Sequence, residues 1–124
     1  AVDYFAIGQA YDLIDVIVLT RERSHLTESV TPLKPLEAMA YRKIVLGNDL
    51  RAFREVIIDG ETGFIFDDSS LYEVMERVLL EYPTGNLDRV LDAAENWVIK
   101  KKSWDIESEK YIDLYRGLVE SFVR

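Results

Sequence analysis

The residues with the clearest chemical potential run from Val30 to Ala40, V-T-P-L-K-P-L-E-A-M-A. Pro32 and Pro35 bracket Lys34, and a short amphipathic helix opens behind them with Glu37 in its first turn. A helix N-terminus carries unpaired amide N–H groups and partial positive charge, so it can present itself to an anionic ligand. The polar run before it, Arg21 to Thr31, adds the carboxylate of Glu28 and the cations Arg21 and Arg23. The two arginines can hold phosphate or an acceptor, or stand solvated at a strand end. His25 is the only histidine and there is no cysteine, so neither a histidine-based metal cluster, a thiolate site nor a triad can be built from this chain.

These groups need a scaffold. An apolar, β-branched run, Asp15 to Thr20, precedes the loop, and Ile44-Val-Leu46 follows the helix. Strand, loop, helix, strand is the order that places a loop at the carboxyl end of a parallel sheet. The near-continuous apolar character of Asp15 to Thr20 predicts a strand covered on both faces. A polar segment as long as Arg21 to Thr31, without periodicity, reads as a functional loop. Upstream, Gly8 to Ile14 reads as a helix after a ragged start in which Val2, Tyr4 and Phe5 could make a short strand. Downstream, Asp49 is expected to cap a helix from Leu50 to Ile58, with Phe53, Val56 and Ile57 inward. Phe64 to Phe66 is a third strand after the turn Asp59 to Gly63, where Gly60 and Gly63 read as turn geometry.

Ser70-Leu-Tyr-Glu73 reads as a capping box opening a helix with Leu71, Val74, Met75, Val78 and Leu79 on one face, which Pro83 stops. Asn86 is expected to cap a helix carrying Leu87, Val90, Leu91, Ala94 and Trp97. Ser103 is expected to cap the last one, with Tyr111, Leu114, Tyr115, Leu118, Val119 and Phe122. The order β-α-β-α-β followed by helices predicts an α/β domain, a Rossmann-like parallel sheet with flanking helices and extra C-terminal helices.

Composition narrows the partners. The chain has 124 residues, 48% of them hydrophobic, enough for the core of one domain spanning 1–124. Fifteen basic and 23 acidic residues give a net charge of −8, which argues against nucleic acid as the main partner. No apolar run approaches the roughly 20 residues that cross a bilayer. With no cysteine, the chain suits a reducing cytoplasm, or the membrane periphery in a longer protein.

From Tyr11 to Phe66 the sequence resembles the C-terminal half of GT-B glycosyltransferases of the retaining, nucleotide-sugar-dependent family 4. The matching pieces are Y-D-L-I-D-V-I-V-L-T, E-S-V-T-P-L-K-P-L-E-A-M-A, K-I-V-L and R-E-V-I-I-D-G-E-T-G-F-I-F, with S-W and Y-I-D-L-Y similar to the family's closing helix. The resemblance implies transfer of a sugar from a nucleotide-diphosphate donor to an unknown acceptor, with retention at the anomeric carbon. Such enzymes need not use a metal, no metal motif stands in the chain, and no cofactor is expected. It places Glu37 at the donor's ribose and Glu28, as the catalytic carboxylate, near the donor sugar. Between them the backbone of Ser29, Thr31 and Leu33 would meet the diphosphate. Lys34 is placed for the same role not by the resemblance but by the prolines that flank it, since the family mostly takes its basic diphosphate residues from the domain's first strand unit. The family's usual gap between its two glutamates is one residue shorter than Ser29 to Leu36. Either the loop carries an insertion or Ser29 takes the first position. Glycines common in the family after the second strand are replaced by Arg51 and Ala52.

These residue types suit that chemistry. An ionised carboxylate accepts both hydrogen bonds of a diol, and a lysine beside a helix N-terminus stabilises a leaving diphosphate. Glu55 is expected to support the loop. The family's glycine-rich, lysine-bearing first strand unit and its N-terminal acceptor half have no counterpart here. The chain is therefore expected to be a truncated piece, inactive alone, with the edge of its first strand open to self-association. The alternative class is a non-catalytic α/β interaction or regulatory module. A receiver is disfavoured because Asp15 begins its strand, and a two-carboxylate glycoside hydrolase needs a larger cleft.

Overall fold

The computed structural model describes residues 6–123; the possible strand at Val2 to Phe5 lies outside them. Three parallel strands, β1 (Val16–Leu19), β2 (Ile44–Asn48) and β3 (Phe64–Phe66), form a sheet in the order β1-β2-β3. Val16 pairs with Ile44 and Leu19 with Gly47 on one side, and Leu46 with Phe64 and Asn48 with Phe66 on the other. The helices are α1 (Ile7–Asp12), α2 (His25–Ser29), α3 (Lys34–Ala40), α4 (Arg51–Arg54), α5 (Leu71–Glu81), α6 (Asp88–Trp97) and α7 (Trp104–Val123). This is a mixed α/β fold with a parallel, Rossmann-like sheet and flanking helices, as the β-α-β-α-β order predicts.

β2 is the centre of the core. Its alternation sends Val45 into one cluster with Tyr11 of α1, Ala38 and Met39 of α3, and Phe53, Val56 and Ile57. Ile44 and Leu46 enter the opposite cluster with Phe64, Phe66 and Val78 of α5. α6 serves both faces, giving Ala94 to the first cluster and Leu87, Val90 and Leu91 to the second. Arg42, just past α3, is held at φ 55 while its guanidinium donates to Asp92 and Glu95 of α6 at 2.7 Å each. A non-glycine residue at positive φ costs about 1–2 kcal/mol, and the two carboxylates offset part of that.

Several local expectations are corrected. β1 is half-covered, with Val18 exposed, because it lies at the sheet's edge and the helical layers centre on β2. The segment before α3 is not a plain loop: Ser24 caps α2, accepting from the Thr27 N–H at 3.2 Å while the Thr27 hydroxyl accepts from the Ser24 N–H at 2.9 Å. α4 stops at Arg54 because the Ile58 N–H turns to the Thr62 hydroxyl, 2.9 Å away, and Asp59 bridges to Gly63. Asp49 does not cap α4; its carboxylate accepts from Arg54 Nε at 2.6 Å.

The Ser70 hydroxyl accepts from the Asp67 N–H instead of a helix amide, so the expected capping box does not form. Leu87, not Asn86, occupies the N-cap of α6, after Gly85 turns the chain at φ 77. Ser103 does stand extended before α7, its backbone carbonyl accepting from the Glu107 N–H, and a π-helical turn, Val98–Lys102, separates it from α6. In the turn before β3, Gly60 lies at φ 73, and a Cβ on Gly63 would come within 2.7 Å of the Val45 carbonyl oxygen, so both glycines are required by geometry. Leu79 is exposed, and so are Tyr111, Leu114, Tyr115, Leu118, Val119 and Phe122, which therefore add nothing to this core.

Two outcomes follow. Since burial supplies stability, a chain ended after Ser103 should melt within about 3 °C of the whole chain; a fall of ~8 °C or more, worth about 2 kcal/mol, would contradict the exposed position of α7. Hydrogen bonds from the Ser69 and Ser70 hydroxyls and amides hold the Asp67 carboxyl down at about 2. A folded-state value below the unfolded one means stability present above about pH 4 and lost as the pH falls towards 2. Asp67→Asn should remove that acid-dependent component, seen as a shallower fall in melting temperature between those pH values.

Candidate functional site

The chain leaves the three strands at one edge of the sheet, through Thr20-Arg21, Asn48-Asp49 and Asp67-Asp68. Asn48 stitches two of these exits together. Its Oδ1 accepts from the Arg21 N–H at 3.0 Å, and its Nδ2 donates to the Arg21 carbonyl at 2.9 Å. That two-way pairing extends the β1–β2 ladder by one side chain. The Arg21 guanidinium then donates to the Val30 carbonyl at 3.1 Å, tying the far end of the loop to its start.

A second set of polar contacts fastens the loop to α4. One Glu28 carboxylate oxygen pairs with Arg23, which also donates to the Asp49 carbonyl. The other accepts from the Arg51 N–H at 2.6 Å. α4 has no cap of its own, Leu50 being its N-cap residue, so Glu28 satisfies one of its free amides from a distant segment. The Thr31 hydroxyl donates to Glu55 at 3.0 Å, the loop-supporting place expected of that glutamate. Arg54 beside Asp49 holds the aspartate's carboxyl below the usual range.

Between the loop and the end of β1 lies a recess of about 560 Å³. Leu19 lines it from β1, Thr20 and Arg21 from just past that strand, Thr31, Leu33 and Lys34 from the loop and α3, and Phe53 from α4. Pro35 is buried in the first turn of α3, where its missing N–H costs nothing, and Lys34 is the exposed first residue of that helix. A neighbouring recess of about 320 Å³ is lined by Arg21, Arg23, Asn48, Asp49, Asp67 and Asp68. Arg21 belongs to both.

Of the sequence candidates, Thr31, Leu33 and Lys34 meet at the larger recess. Glu28 is engaged at α4, and the Ser29 hydroxyl donates within α2 to the His25 carbonyl at 2.7 Å. Glu37 is one turn along α3 from Lys34, on the side facing α1, where its Oε2 accepts from the Tyr11 hydroxyl at 3.0 Å. The Tyr11 ring stacks on Tyr41, 4.5 Å between centroids and 11° from parallel. Burial, then the Glu37 carboxylate, pushes the Tyr11 phenol up to about 12. Tyr11 and Asn48 were not singled out from sequence, since their partners are 26 and 27 residues away. Among the described residues no three His, Cys, Asp or Glu side chains converge as metal ligands.

Residues 1–104 match the family described as Glycosyl transferases group 1. The chain is also similar to a glycogen synthase of Thermodesulfovibrio yellowstonii, 31% identical over 90 residues, which are 70% of this chain and 18% of that protein. It thus spans less than a fifth of that relative. The family match stops at residue 104, where α7 begins, so Tyr111 to Tyr115 lie beyond it. A parallel sheet with its polar loops gathered at the carboxyl edge agrees with a match that covers most of the chain, and the chain belongs to the Glycosyl transferases group 1 family.

Proposed function

We propose that this chain is part of the donor-binding half of a GT-B glycosyltransferase of the retaining family 4, and that it takes a nucleoside-diphosphate sugar at the carboxyl edge of its sheet. The observation that carries this reading is the recess of about 560 Å³ lined by Arg21 and Lys34 in a chain of net charge −8. Two cations at one cavity of an acidic protein make a locally positive site, which suits a diphosphate. The family membership supplies the reaction class.

In this reading Lys34 and the remaining donors of Arg21 meet the diphosphate, with the backbone of Ser29, Thr31 and Leu33 along the same wall. Glu37 accepts hydrogen bonds from the ribose hydroxyls. Glu28 approaches the donor sugar, exchanging its contacts with Arg23 and the Arg51 amide for the sugar's hydroxyls. In the longer protein the bond from the anomeric carbon to the diphosphate breaks, and one to the acceptor oxygen forms on the same face. Developing charge on the diphosphate is what the cations stabilise. The glycogen synthase relative makes a glucan the first acceptor to try. The open edge of β1 is where we assign the remaining strands of the longer protein, with self-association through it in their absence.

Calorimetric titration of UDP, ADP and GDP into the chain tests the donor site. At least one should bind, and Lys34→Ala or Glu37→Ala should weaken it by about 10-fold or more, the worth of a charged hydrogen bond. If no nucleoside diphosphate binds, or neither substitution matters, the reading fails. Separately, Glu28→Ala removes a helix cap and should cost about 1 kcal/mol, read as a lower urea midpoint; an unchanged midpoint would mean that the Arg51 contact contributes nothing.

A further inference from the structure

Glu37 of α3 and Tyr41, the residue that closes that helix, are four residues apart and lie on one side of it. α1 turns Gly8 and Tyr11 towards that face: Tyr11 stacks on Tyr41 and bonds Glu37, while a Cβ on Gly8 would meet the Tyr41 ring at 3.6 Å. α3 and the residue that closes it therefore hold one phenol of α1, its ring against Tyr41 and its hydroxyl on the Glu37 carboxylate.

The two partners in that hydrogen bond differ sharply in freedom. Tyr11 is buried, 8% exposed, and packs in the core cluster that holds Met39 and Phe53. Its ring is held by that packing and by the stack on Tyr41. Glu37 is an exposed residue on a side chain with three rotatable bonds, and left alone it would sample many rotamers. The hydrogen bond joins the free group to the fixed one.

We propose that Tyr11 is a positioning residue for the donor site: its hydroxyl holds Glu37 Oε2, so that Glu37 Oε1 remains oriented to accept from a vicinal diol. This rests on the reading of Glu37 as the ribose-binding carboxylate. Pre-orienting the acceptor removes the rotamer entropy that binding would otherwise have to overcome. The tyrosine does not touch the ligand. Phenylalanine in its place keeps the ring while removing the hydroxyl that bonds Glu37.

The test is calorimetry with UDP and ADP on the whole chain, comparing Tyr11→Phe, Tyr41→Phe, Glu37→Ala and the Tyr11→Phe/Glu37→Ala double variant. Tyr11→Phe should weaken binding about 3- to 10-fold, the range of a single hydrogen bond, with a melting temperature within about 3 °C of the parent. Tyr41→Phe should bind as the parent does. In the Glu37→Ala background Tyr11→Phe should add no further loss, because its effect passes through the carboxylate. In ultraviolet titration of the parent one tyrosine should ionise near 12, and Glu37→Gln should move it down, since Glu37 and Tyr41 are the titratable groups beside Tyr11.

The outcomes separate cleanly. If Glu37→Ala weakens binding and Tyr11→Phe does not, the positioning role is wrong while the donor site stands. If Tyr11→Phe weakens binding equally with Glu37 removed, the tyrosine acts through the fold, which also overturns the proposal. If Glu37→Ala has no effect, the ribose assignment fails and the proposal falls with it.

Discussion

The enclosure of β2 is the constraint from which the rest of the structure follows. The strand is hydrogen-bonded along both edges and covered on both faces, and Ile44, Val45 and Leu46 are at most 1% exposed. A strand so enclosed can leave no backbone group unpaired, so β1 and β3 must run alongside it in a set register. Alternation then divides the apolar residues into two layers, and α6 closes both. Because all three strands point the same way, their exits gather at one edge, and the polar chemistry of the chain gathers with them.

Polar contacts, not apolar burial, hold that edge together. The segment from Arg21 to Thr31 has little to bury, and it is placed by Asn48, Arg23, Glu28 and Thr31, each bonding to a distant part of the chain. Exposed contacts of this kind are individually worth little and reorganise readily. Lys34 differs, since it stands at the start of α3, which buried Pro35, Ala38 and Met39 anchor to the core. The recess is thus lined by the start of an anchored helix on one side and by a loop held through exposed contacts on the other. Glu37 is tied to that helix's neighbour through Tyr11, and Glu28 to the exposed contacts at α4. α7 contrasts with both: its apolar residues are exposed, and it begins where the family match ends.

Much of this was legible in the residues because it is set by short-range rules. The apolar runs at 16–19, 44–46 and 64–66, the proline at the start of α3 and the positions of Gly60 and Gly63 all act within a few residues, and the structure has strands, helix and turn there, although β1 is covered less fully than its continuous apolar run predicts. The parallel order followed from strands separated by helices, and the family was carried by the order of its motifs.

Only tertiary structure decided which polar groups are engaged and which are open. Asp49, Ser70 and Asn86 are all competent helix caps, yet Arg54 claims the first, the Asp67 amide the second, and the turn at Gly85 displaces the third. The cap that α4 does receive comes from Glu28, 23 residues away. The same holds for Tyr11, whose apolar position in α1 is plain but whose hydroxyl finds Glu37 only after α1 and α3 meet over β2. The chain's local pattern determined its strands, most of its helices, its layers and the edge where its polar loops gather. The partners of Glu28 and Glu37 depended on folding, because a carboxylate bonds whichever donor the packing of the apolar core brings within 3 Å.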